Sequence, residues 1–155
     1  MSNSVLGNRN EKIIVFYSFK DVREFNQFKN ATDELINGKV LQSTLFVVFM
    51  EDAEDKLQLP ESARFKYLSR SDYNIFGQIK DKELRQSIKE KFDTLFVFGN
   101  ISEKHAKLVN KIKANRRIVT NSTDFINFDI SINANATGVE QIANFAKETL
   151  EKIQA

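Results

Sequence analysis

The sequence predicts a three-layer α/β/α sandwich on a mostly parallel five- or six-stranded sheet, Rossmann-like or flavodoxin-like in strand order. Three observations carry this expectation. Short continuous apolar runs, rich in β-branched and aromatic residues, read as strands covered on both faces. Amphipathic stretches of helical period fall between those runs. Their alternation implies parallel pairing through right-handed crossovers, which leaves the doubly wound topologies.

Lys12–Ser18 is the first buried strand, and Asp21 to Asn37 switches to helical spacing through Val22, Phe25, Leu35 and Ile36. Asn37-Gly38 supplies a C-terminal cap, because both residues tolerate the left-handed conformation. Thr44–Met50 is the second strand, ended by the acidic run Glu51–Asp55, and Pro60 marks a loop. Arg64–Ser69 alternates polar and apolar, which suits a less buried strand at an edge. Ser71–Gly77 reads as an ordered connection, and Asp81–Lys91 as a helix with a thin apolar face on Leu84 and Ile88. Asp93–Phe98 is the fourth strand. Gly99 then turns the chain into a helix from about Ile101 to Ala114, stopped by Asn115. Arg116–Thr120 and Phe128–Ile132 are two further short strands, and Gly138–Ile153 closes the chain as an amphipathic helix. The expected organisation is a flexible tail over residues 1–10 and a single α/β domain over 11–155.

Fourteen Phe against three Tyr and no Trp favour dry packing over hydrogen-bonded recognition. Twenty-three basic and 21 acidic residues are interspersed to a net +2, and the isoelectric point of 8.8 reflects that near balance. Nucleic-acid binding needs cations gathered along a stripe, and none is visible. The absence of cysteine excludes disulfides, thiolate nucleophiles and sulfur-ligated metals. The first ten residues lack the apolar core of a secretory signal, and no apolar run approaches the ~20 residues of a membrane span. The expectation is therefore a cytoplasmic protein without a membrane or nucleic-acid partner.

The segment Asp72-Tyr-Asn-Ile-Phe-Gly-Gln-Ile-Lys80, followed by a charged helix and Phe92-Asp-Thr-Leu-Phe96, resembles an uncharacterised bacterial family of the bacteroidetes. That family reads D-[FY]-N-x-[FW]-G-x-x-K, then a helix, then F-D-x-L-[IF]. The resemblance runs from about Glu11 through the closing helix. The family often carries glycine where this chain has Thr120, so a backbone-approach role for that glycine does not transfer. The family implies no activity. A more distant likeness, at the level of fold alone, is to one Rossmann half of the sugar-nucleotide glycosyltransferases. Val15–Asp21 resembles the opening strand of TIR domains, but nothing downstream continues the match, and we read it as coincidence.

In a doubly wound sheet, ligands bind beyond the carboxyl ends of the strands, where strand order reverses. The candidates there are Ser18 and Asp21 after the first strand, Gly99, Asn100 and Ser102 after the fourth, and Asn121 after the fifth. Polar ends also occur at Met50–Asp52, Ser69–Asp72 and Asn133–Asn135, and helix caps and turns call for the same residue types. Gly99–Glu103 is the best phosphate candidate, since a glycine before a helix presents free N–H groups. Yet a lone glycine is not a phosphate-binding fingerprint, and Asn100 with Glu103 forms a capping-box-like pair. The first strand has no glycine-rich turn, so no dinucleotide cofactor is implied. Glu51–Asp55 has carboxylates for Mg²⁺ or Ca²⁺ but lacks EF-hand spacing, and reads as a solvated acidic loop. His105, the only histidine, reads as a half-buried packing residue on the face of Leu108 and Val109. Arg116 and Arg117, at the start of their strand and away from the crevice, read as solvated or partner-facing.

No base stands beside a nucleophile, so no catalytic residue or metal ligand is named. The leading expectation is a non-catalytic ligand- or protein-binding domain for a small phosphorylated or acidic molecule or a protein partner. The alternative is a sugar-nucleotide-dependent, transferase-like enzyme. A single Rossmann half leaves its crevice open, so that reading requires a homodimer. A structural subunit is a third reading.

Overall fold

In the computed structural model, residues 12–37, 44–60, 65–120 and 125–132 are described. They form six strands: β1 (Ile13–Ser18), β2 (Thr44–Phe49), β3 (Phe65–Leu68), β4 (Lys91–Phe98), β5 (Lys113–Thr120) and β6 (Ile130–Ile132). Three α-helices accompany them: α1 (Val22–Asn37), α2 (Lys82–Ser87) and α3 (Glu103–Lys111). The sheet order is β3-β2-β1-β4-β5-β6, and every neighbouring pair is parallel. This is the Rossmann order, not the flavodoxin one. The chain walks outward from β1 to β3, then returns across the sheet to lay β4 on the free side of β1.

Alternation within each strand sends side chains to two apolar layers. Val15 and Tyr17 face one side, where Phe25 and Phe28 of α1 meet them along with Phe46, Phe65 and Phe98. Ile14, Phe16, Val47, Phe49, Leu95 and Val97 face the other, under Leu84 of α2 and Leu108, Val109 and Ile112 from α3. Helices thus cover both faces, as a three-layer sandwich requires. The phenylalanines do much of the filling: Phe16 stacks on Phe49 at 5.0 Å, and Phe25 packs edge-on against Phe65 at 5.5 Å.

Several boundaries differ from expectation. The helix expected up to Ala114 ends at Lys111, with Ile112 already extended, and β5 begins three residues early at Lys113. The helix expected to run to Lys91 keeps only Lys82–Ser87, and β4 takes over from Lys91. In both places the strand starts on an exposed lysine, Lys91 paired with Lys113, one step before buried Phe92 pairs with Ala114. Ladder hydrogen bonds at a strand's solvated end leave little apolar signature in the sequence. The acidic run opens a 3₁₀ helix over Ala53–Gln58, and β3 lies at the sheet edge.

Arg116 and Arg117 correct a second expectation. They lie inside β5, opposite Thr94 and Leu95, and both are half-buried. The Arg117 guanidinium donates to the carbonyls of Val109 and Ile112 at 2.7 Å each and to that of Asn127 at 2.9 Å. It ties together carbonyls at the end of α3, in the turn after it and ahead of β6, which a planar fork of donors does at once. Arg116 donates twice to the Thr94 hydroxyl. These cations are structural. The tail over residues 1–10, the Gly38 cap, Asn121 and the closing helix lie outside the described residues. Among the described residues, no helix is long and apolar enough to cross a membrane.

Candidate ligand-binding cleft

Strand order reverses between β1 and β4, and the structure brings Ser18, Gly99 and Asn100 together there. The Ser18 hydroxyl donates to the Asn100 carbonyl at 2.6 Å, tying the loop after β1 to the loop after β4. Gly99 has φ +86°, and a Cβ built on it would lie 3.3 Å from that of Ser18. Gly99→Ala therefore meets both a left-handed backbone and a crowded neighbour. It is expected to cost about 2 kcal/mol, read as a shift in the urea-unfolding midpoint. Asp21 accepts from the Glu24 N–H at 2.7 Å and caps α1. The cap of α3 is Ser102, which accepts from the His105 N–H, and not the Asn100–Glu103 pair expected from spacing.

A deeper feature lies to one side of this junction, built on the segment that carries the family resemblance. Asp72–Lys80 folds back on itself: Tyr73 bridges Ile79 in antiparallel fashion, and the Lys80 N–H reaches the Asp72 carbonyl at 2.9 Å. The Asn74 side chain accepts from the N–H groups of Phe76 and Gln78 at 2.9 and 3.0 Å, and Gly77 takes φ +78°. The pattern D-Y-N-x-F-G thereby acquires a physical reason. Asn closes the turn, Gly permits its left-handed residue, and the tip is left outside with Ile75 94% and Phe76 78% exposed. Asp72 anchors the base of the loop. Burial alone would raise its pKa, but the paired Lys56 ammonium and the Ser69 N–H and hydroxyl hold it below the usual range.

Tyr73 connects this loop to the core. His105 is 1% exposed, more deeply buried than expected, and stacks on Phe49 at 4.2 Å. Its Nε2 lies 3.0 Å from the Met50 carbonyl, which can only accept, so Nε2 carries the proton. Nδ1 then accepts from the Tyr73 hydroxyl at 2.6 Å. Burial lowers the His105 pKa; the Met50 carbonyl and Glu51, whose carboxylate is 3.7 Å from Nε2, oppose that shift, while Lys104 and Arg70 reinforce it. Burial raises the Tyr73 pKa beyond its ordinary value, so its hydroxyl keeps its proton to donate.

Between this loop and α3 opens a cleft of about 660 Å³ whose walls include Arg70, Tyr73, Phe76, Ser102, Lys104 and Lys107. It sits beyond the carboxyl ends of β2, β3 and β4. Four cations line it, with Lys111 the fourth, against the two carboxylates of Glu51 and Glu103. Lys104 donates to the Arg70 carbonyl at 2.9 Å and lies 5.2 Å from the centre of the Tyr73 ring. Lys107 and Lys111 have no salt-bridge partner among the described residues. A cavity in the size range of small-molecule sites, with a cationic lining and an exposed aromatic ring at its lip, can hold an anion. Of the residues expected at a site, Ser102 lines this cleft, Ser18, Gly99 and Asn100 brace the neighbouring junction, and Asn121 lies outside the described residues. Tyr73, Phe76 and Lys104 were not anticipated. Phe76 alone had a signal, an aromatic residue between Asn74 and Gly77 in too polar a setting for a core position.

The fold and its cavity define a parallel α/β protein of Rossmann order with an open cleft on one side of the reversal point. The chain belongs to DUF6913, a family of unknown function, which matches residues 3–153. Membership of an uncharacterised family agrees with the resemblance carried by Asp72–Lys80. No curated protein matches the chain. Among solved structures it is similar to carbon monoxide dehydrogenase IV from Carboxydothermus hydrogenoformans, at 13% identity and a TM-score of 0.42. That match covers 95% of this chain but 23% of the dehydrogenase, and at such a score it carries no argument. Nothing among these matches points to a glycosyltransferase.

Proposed function

We propose that the protein is a non-catalytic binding domain for a small anionic molecule, phosphorylated or carboxylated, held in the cleft between Tyr73–Gly77 and α3. The observation that carries this reading is the excess of cations around a concave site at the carboxyl edge of the sheet. The first turn of α3 lines the same cleft, and its N-terminal end favours negative charge. A binding role is supported over a catalytic one by the state of His105. Both its ring nitrogens are engaged, and it lies behind Tyr73, so the one imidazole does not face the cleft as a free base. A phosphorylated metabolite implies a cytoplasmic setting, which belongs to the same proposal.

The test is a thermal-shift and calorimetric screen against phosphorylated metabolites, sugar nucleotides and dicarboxylates. A ligand at a hundred times its dissociation constant is expected to stabilise the fold by about 2.7 kcal/mol. The double substitution Lys104→Glu and Lys107→Glu is expected to weaken binding at least tenfold and to lower the unfolding free energy by about 1 kcal/mol, for the lost Lys104 contacts with Arg70 and Tyr73. A ligand that binds equally well to this variant would overturn the assignment of the cleft.

A further inference from the structure

We infer that the ligand is an amphiphile, with an anionic head in the cationic cleft and an aliphatic chain in the trough that continues from it. This rests on the anion-binding reading above and adds to it. A second cavity of about 410 Å³ lies alongside the first, and the two share Gly77, Leu108 and Lys111. Its character is different. Ile79, Ile88, Leu108 and Ile112 supply an apolar lining, and none of its lining residues is acidic.

Two features join the lobes. Gly77 stands at the junction with no side chain, and nothing lies within 4 Å of where its Cβ would be. One of the residues that both lobes share is thus without a side chain, at the place where the turn demands a glycine. Lys111 belongs to both cavities and offers its charge where a head would give way to a tail. Cations persist along the trough in Lys89 and Lys113, both exposed. A neutral lipid gains nothing from that charge, and an inorganic anion gains nothing from the isoleucines. A chain bearing a phosphate or carboxylate uses both.

A series of alkyl phosphates from methyl to octyl, titrated below micellar concentrations by NMR and calorimetry, reads the two lobes separately. Each added methylene buried in the trough is expected to tighten binding about fourfold, so octyl phosphate should exceed butyl phosphate by roughly 250-fold. Octanol should bind far more weakly than octyl phosphate. Alkyl carboxylates of matched length distinguish the two head groups. Ile88→Asp should flatten the series and leave methyl phosphate binding unchanged. Affinity independent of chain length would overturn the amphiphile and leave the anion site standing. Octanol binding as tightly as octyl phosphate would overturn it as well. No binding of any phosphate or carboxylate at any length would sink both readings together. The unsubstituted protein decides all of these outcomes, whether or not the variant folds.

Discussion

Phe49→Ala is expected to lower the unfolding free energy by about 4 kcal/mol, the upper part of the range for a fully buried phenylalanine. Its ring is sandwiched between Phe16, 5.0 Å away in β1, and His105, 4.2 Å away in α3. Deleting it removes apolar burial and leaves a cavity that neither flat neighbour can collapse to fill. At this chain length the loss should lower the melting temperature by roughly 10 °C. Urea unfolding checks it, as a lower midpoint with an unchanged slope. Phe76→Ala is the contrast: that ring is 78% exposed, and its removal should stay within about 0.5 kcal/mol. Equal effects at the two positions would show that the Phe49 layer is not the core described.

His105→Phe comes next in size, at about 3 kcal/mol. The ring stack on Phe49 survives this change, but the Tyr73 hydroxyl and Met50 carbonyl lose their buried partner. The wild-type residue also makes a pH signature. Its folded pKa lies below the ordinary 6.5 because the charged ring is disfavoured by burial. Below pH 6.5 the unfolded chain therefore binds a proton that the native chain resists. Stability is full above that pH and declines as pH falls toward the depressed folded value. The phenylalanine variant should lack this decline when melting is followed from pH 7 to 5. A second decline belongs to Asp72, whose pKa is held down in the fold, and it begins only below about pH 4. A wild-type curve flat between pH 7 and 5 would show that His105 is not the buried neutral ring described.

The layers of the fold were legible because buried strands state themselves. Ile13–Ser18, Thr44–Phe49 and Thr94–Phe98 are continuous apolar runs with no competing helical period. Parallel pairing followed from the helices between them, but the meeting of Ser18 with Gly99 depends on the Rossmann order, which the sequence left open beside the flavodoxin one. The strand starts at Lys91 and Lys113 were not legible, because their backbone ladders extend beyond the apolar core. Arg117 shows the same limit in another form. A cation in a strand looks solvated until the carbonyls of Val109 and Ile112, brought in by the fold, give it partners. The cleft was half legible. Asp72–Lys80 stood out as a pattern, but reading it as a connection concealed that Tyr73 points inward to His105 while Phe76 stays outside.

Placing β1 between β2 and β4 has a consequence for how the chain is made. Lys12, at its start, bonds the side chain of Asp93, a partner 81 residues further on. During synthesis this inner strand thus emerges with one flank unpaired, and it waits until β4, about 80 residues further along, has left the ribosome. Contacts of such long range slow folding and expose apolar edges meanwhile. Nascent-chain truncations ending before Lys91 should be captured by chaperones, whereas those that include β4 and β5 should begin to resist protease.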